Sequence, residues 1–149
     1  MENSLRTLWV FNQFASTPET NNPAGIRHHS LIKYLENEGW RLKVFSASRN
    51  HLFQENPKRK FPYHEEKITK HSSFIWMWMF NYNPNSAIQR LTSWLLFSFM
   101  LFFVRSKHLS KPNVILVSSM SLWPIINAIL VTIFQKKTKI IFETRDIWP

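Results

Sequence analysis

The strongest constraint on the fold is an alternation of short apolar runs with helical patterns. Leu8-Trp9-Val10-Phe11 is apolar and β-rich and ends in polar Asn12-Gln13, as a buried strand does. The stretch from Ala15 to Ala24 is rich in Ser, Thr, Asn and Pro and reads as a loop. From Gly25 the spacing turns helical, with Ile26, Leu31 and Leu35 on one face, and Gly39 is placed to stop the helix. Leu42, Val44 and Phe45 give a second strand. Strand, loop, helix, glycine, strand is a βαβ unit, and such a unit implies parallel strands.

The pattern continues along the chain. Ser73 to Met79 reads as a third strand, Ser86 to Lys107 as a helix, and Val114 to Val117 as a fourth strand. Leu122 to Phe134 reads as a helix with Pro124 in its first turn, where proline is tolerated, and Lys139 to Phe142 as a fifth strand. Between these elements Arg49 to His71 is polar and basic, with Lys58-Arg59-Lys60 at its centre, and reads as an exposed loop. The expected fold is α/β, a doubly wound, Rossmann-like parallel sheet with helices on both faces. The length of 149 residues suits one such domain, spanning residues 1–149. A doubly wound domain usually continues past a fifth strand, so further α/β chain is expected beyond Pro149.

Composition narrows the chemistry. The chain carries no cysteine, which excludes a disulfide scaffold, a thiolate metal site and cysteine catalysis. Its six histidines show no metal-ligand spacing, and no carboxylate cluster accompanies them, so no metal site is expected. Ser118, Ser119 and Ser121 lack the G-x-S-x-G surroundings of a hydrolase nucleophile. The net charge of +10 favours an anionic partner: nucleic acid, an acidic membrane surface or a phosphorylated substrate. Nucleic-acid motifs are missing, which ranks that partner last. Glu2 and the short first apolar run do not read as a signal peptide. Trp94 to Val104 is apolar but too short for a span of about 20 residues. It reads as a core helix or an interfacial one, and the sheet's need for buried helices favours the core.

In an open α/β sheet, ligands bind beyond the carboxyl ends of the strands. That rule selects Asn12 to His29, Ser46 to His51, Ser118 to Trp123 and Glu143 to Trp148. In the first segment Gly25-Ile26-Arg27-His28-His29 opens a helix. Its free N–H groups and the Arg27 guanidinium suit a phosphate. An ordinary βα turn with a solvated Arg and His fits the same spacing, because the loop has neither the dinucleotide nor the Walker glycine pattern. In the last segment Glu143, Arg145 and Asp146 cluster past an apolar strand, either facing the cleft or pairing with each other at the surface. Lys58, Arg59 and Lys60, together with the aromatic helix Trp94 to Phe103, suit contact with anionic lipid headgroups.

Four stretches carry a family resemblance: LWVFNQFASTPE (8–19), GIRHHSLIKYLENEGWRLKVFSASRNH (25–51), KPNVILVSSMSLWP (111–124) and IIFETRDIWP (140–149). They resemble the N-terminal domain of bacterial family 4 glycosyltransferases. These are GT-B-fold enzymes of O-antigen, capsule and colanic-acid assembly, and the fucosamine-type transferases look most similar. The resemblance implies the acceptor-side half of a retaining, metal-independent enzyme, incomplete without its C-terminal donor-binding domain. It implies no cofactor, a nucleotide-sugar donor held by that second domain, and a polyprenyl-diphosphate-linked sugar acceptor. The expected location is cytoplasmic, with peripheral contact at the inner membrane. Carried over, Gly25, Arg27, His28 and Glu143 would bind substrate at the interdomain cleft. Asn50 and His51 would line the acceptor side, and Arg145 and Asp146 would act as catalytic residues at the cleft floor. Asn22-Pro23-Ala24-Gly25 stands where the family commonly has a glycine pair. A non-catalytic, basic membrane-surface module is the alternative reading.

Overall fold

The computed structural model describes residues 5–104, 109–118 and 121–144. In chain order the elements are β1 (Arg6–Phe11), α1 (Arg27–Asn37), β2 (Trp40–Ala47), β3 (Tyr63–Lys67), β4 (Ser73–Met77), α2 (Ala87–Leu101), β5 (Val114–Ser118), α3 (Trp123–Phe134) and β6 (Lys139–Glu143). The strands form one sheet in the order β3-β4-β2-β1-β5-β6. Every neighbouring pair is parallel except β3–β4, which is antiparallel. The architecture is therefore α/β with a mostly parallel sheet and helices on both faces.

The alternation along each strand explains the two layers, because successive side chains leave opposite faces. Trp9, Phe11, Phe45, Ile75 and Ile115 face α2 and α3, where Phe97, Met100 and Ala128 join them. Leu8, Val10, Leu42, Val44 and Phe74 face the other way and pack with Ile32 of α1. The central strands are buried on both sides, which is why they read as near-continuous apolar runs. Gly39 ends α1 with φ +77°, a left-handed conformation that favours glycine, and its carbonyl oxygen accepts from Arg6 N–H at the start of β1.

Two sequence expectations change. The polar stretch Arg49 to His71 contains β3, an edge strand made of Tyr63-His-Glu-Glu-Lys67. Beside its ladder with β4, side chains hold it: Lys43 Nζ donates to Glu65 Oε1 at 2.7 Å and to Ser73 Oγ at 2.8 Å. Trp76 Nε1 donates to Glu66 Oε2 at 2.5 Å. The sheet is thus not wholly parallel. The second change concerns α2. It buries Ser93, Phe97, Met100 and Leu101 but leaves Leu91, Leu95, Phe99 and Phe102 exposed. It is a core helix on one side only. Among the described residues no helix is long and apolar enough to cross a membrane.

Candidate functional site

β2 lies on one side of β1 and β5 on the other, so the connection changes direction at β1. A crevice therefore opens beyond the carboxyl ends of β1 and β5. Asn12 and Gln13 leave the end of β1, and Ser118 is the last residue of β5. Gln13 Nε2 donates to Ser93 Oγ of α2 at 2.7 Å, which fixes that helix against the crevice. The loop after β1 is tied down from β2, where Ser46 Oγ meets the carbonyl oxygens of Ala15 (2.6 Å) and Gln13 (3.1 Å). Asn12 Oδ1 accepts from Phe14 N–H at 2.9 Å, and its Nδ2 lies 3.5 Å from His28 Nδ1.

The α1 N-terminus enters the crevice uncapped, since Ile26 at the capping position offers no side-chain acceptor. Arg27 stands exposed in the first turn, and its Nη1 donates to Glu143 Oε1 at 2.6 Å. Glu143 is the last residue of β6, so this pair bridges the first helix and the last strand. Burial pushes the Glu143 carboxyl up. The Ser118 hydroxyl, the Arg27 hydrogen bond and the charges of Arg27 and His28 outweigh it and hold the group below its ordinary value. Ser118 Oγ and Glu143 Oε2 are nonetheless both buried without a well-formed hydrogen bond among the described residues. The carboxylate already pairs with Arg27 and offsets its charge. That arrangement suits ligand hydroxyls better than a free phosphate.

A second, polar cleft of about 190 Å³ lies beyond β2 and β4, lined by Arg49, Asn50, His51, Asn56, Asn81 and Tyr82. Asn50 is buried. Its Oδ1 accepts from Leu52 N–H at 3.1 Å while its Nδ2 has no partner among the described residues. His51 Nδ1 and Tyr82 Oη are 2.7 Å apart. Burial, with the nearby Arg90 charge, lowers the His51 pKa, so the ring is neutral near neutral pH. Burial raises the Tyr82 pKa and keeps its hydroxyl protonated. Arg49 is spent on the chain itself, donating to the carbonyl oxygens of Ser48 (2.6 Å) and Pro57 (2.8 Å). A cleft of neutral amides, one imidazole and one phenol recognises hydroxyl groups, with Tyr82 as an apolar platform.

The structure thus brings Arg27, His28 and Glu143 together, and sets Asn50 and His51 in a neighbouring cleft. Arg145 and Asp146 lie outside the described residues. Gly25 has a packing role. A Cβ there would fall within 2.6 Å of Ser16 Oγ and closer still to the Phe14 carbonyl oxygen. It is what lets the β1 loop fold onto the start of α1. Lys58, Arg59 and Lys60 are exposed and lie apart from these clefts' linings. Sequence reasoning included Ser118 only within the strand-end segment 118–123, without giving it a role, and missed Tyr82 as a site residue. Applying the strand-end rule to β4 as well would have flagged Tyr82. Among the described residues no three His, Asp or Glu side chains gather to hold a metal ion. Comparison with protein-family models gives no match, and neither does comparison with curated proteins.

Proposed function

We propose that this chain is the acceptor-side half of a retaining, GT-B-type glycosyltransferase that works with a separate donor-binding domain. The reading has the domain bind a lipid-linked sugar at the cytoplasmic face of a membrane and present one of its hydroxyls to a nucleotide-sugar. The observation that carries it is the pair of adjoining strand-end sites. Arg27–Glu143 with Ser118 at the β1/β5 crevice, and Asn50, His51 and Tyr82 beyond β2 and β4, are both built from groups that pair with hydroxyls.

In this reading the carboxylate of Glu143 accepts from an acceptor hydroxyl, and Arg27 keeps that carboxylate ionised and oriented. Asn50 donates its free amide N–H to a ring or glycosidic oxygen, and the His51–Tyr82 pair fixes a second hydroxyl. Bond breaking at the donor passes through an oxocarbenium-like state, whose diphosphate leaving group the donor domain would stabilise. Arg145 and Asp146 remain part of the proposal as cleft-floor residues.

Calorimetry with a water-soluble, short-chain polyprenyl-diphosphate-linked sugar tests the reading. We expect saturable binding that Asn50→Ala and Glu143→Gln each weaken by about tenfold, the loss of one well-placed hydrogen bond to a charged or buried group. Absence of binding by the unaltered chain, or binding indifferent to both substitutions, would sink it.

A further inference from the structure

We infer that the outer face of α2 and α3 is a docking surface for an anionic lipid bilayer. The inference deepens the membrane contact of the reading above, but it needs nothing of the sugar chemistry.

The two helix layers of the sheet differ in their outer surfaces. Over one face α1 shows water Arg27, Lys33 and Tyr34. Over the other, α2 turns Ile88, Leu91, Leu95, Phe99 and Phe102 outward, at spacings that place them along one stripe. Neighbouring α3 does the same with Ile126, Ile129 and Ile133. These side chains are not marginally exposed: Ile88 is 79%, Phe99 55% and Ile133 58% accessible. Across both helices the only charged residue is Arg90. A helix that is apolar all round belongs in a core or against a membrane. Here the sheet covers just one side.

The rim decides the occupant. Phe61 stacks edge-on against Phe103 at 5.7 Å and against Trp78 at 6.2 Å. Those contacts set Lys58, Arg59 and Lys60 beside the C-terminal end of α2, with Arg59 Nη1 donating to Met79 O at 3.4 Å. Lys136 and Lys137 follow the end of α3 and are exposed. Between the C-terminal ends of the two helices an apolar groove of about 310 Å³ opens, lined by Phe102, Val104, Leu130 and Phe134 among others. The partner must therefore be apolar in the middle and negative at the edge. A second copy of this chain would set cationic rim against cationic rim. An anionic bilayer supplies both properties within the depth that an interfacial helix reaches, about 5–10 Å. The α2 helix, about 22 Å long, would lie in the interface with its phenylalanines among the acyl chains.

Vesicle sedimentation is the test, with phosphatidylglycerol-containing vesicles set against pure phosphatidylcholine. We expect binding to the first that falls with salt, and at least about tenfold weaker binding for Leu95→Glu/Phe99→Glu and for Lys58→Glu/Lys60→Glu. All the substituted side chains are exposed, so circular dichroism and Tm should stay unchanged and separate lost docking from lost fold. The chain has no cysteine, so Phe102→Cys can carry a single solvent-sensitive dye. Its emission should shift to the blue on anionic vesicles, while the same dye at Lys33→Cys on α1 should not respond. Binding untouched by Leu95→Glu/Phe99→Glu would overturn the proposal. So would a blue shift at Lys33→Cys alone. Self-association abolished by Leu95→Glu, without vesicle binding, would also overturn it by making the face an interface between copies. Binding of the soluble acceptor analogue is read separately, so either reading can fail without the other.

Discussion

Glu143 and Gly25 show how differently two site residues can matter. The Arg27–Glu143 pair is partly solvated, with the Arg27 side chain 56% exposed, and exposed pairs contribute about 0–1 kcal/mol. We expect Glu143→Gln to leave the denaturation midpoint nearly unchanged while acceptor-analogue binding falls, so chemical denaturation and calorimetry should move independently. Gly25→Ala should do the reverse. The new methyl would meet a backbone carbonyl oxygen, which cannot rotate away, and overpacking of that kind costs about 1–3 kcal/mol. Urea denaturation should show a lower midpoint with unchanged slope. The sequence marks Gly25 as the opener of a helix, and Arg27, His28 and Glu143 as strand-end or helix-start groups. It does not show that Phe14 and Ser16 fold back over Gly25. Nor does it show that Glu143 pairs with Arg27, 116 positions away, because those contacts exist only once the sheet order is set.

At the scale of elements, the strands with continuous apolar runs were legible and the charged one was not. Leu8–Phe11 declares itself because both faces are buried, and Leu42, Val44 and Phe45 do so although Lys43 interrupts them. Tyr63–Lys67 carries two glutamates and a lysine and lies at the sheet edge, where charge protects against unwanted pairing but erases the apolar signal. Its anchor is the half-buried Lys43, which Glu65 neutralises and Ser73 helps to hold. Glu65→Ala should therefore loosen β3 ahead of the rest. We expect amide hydrogen exchange at Tyr63–Lys67 to accelerate while β1 and β2 keep their protection. Equal acceleration across the sheet would mean that β3 and the core open as one unit. For α2 the sequence left a core and an interfacial reading open, for a related reason. Its apolar composition says that it avoids water, but only the structure says which side the sheet covers.

For the whole molecule, the alternation of apolar runs with helical patterns was enough to give the α/β class, while the face on which each core residue lies came with the folded sheet. The rule for strand ends selected the segments that hold Arg27, His51 and Glu143, whereas the switch at β1 came with the strand order. What sequence could not supply is how the charges sum once folded, and that sum sets the response to acid. Burial lowers the pKa of His29, with Lys33 adding to it and Glu19 and Glu66 opposing; burial and Arg90 lower that of His51. Glu65 and Glu143 are raised by burial but lowered further by hydrogen bonds and neighbouring cations, so both finish below their ordinary values. All four shifts share one sign. In each case the unfolded chain binds a proton at a higher pH than the folded chain does, so stability is lost on acidification. The histidine contribution is present above the ordinary value of 6.5 and is lost as pH falls through the depressed folded values. The carboxylate contribution is present above 4.5 and is lost below it, as pH falls through theirs. Urea denaturation across that range should give a two-stage decline in unfolding free energy, with His51→Gln flattening the upper stage and Glu65→Gln the lower. A rise in stability on acidification between the two ranges would contradict the lowered values of His29 and His51.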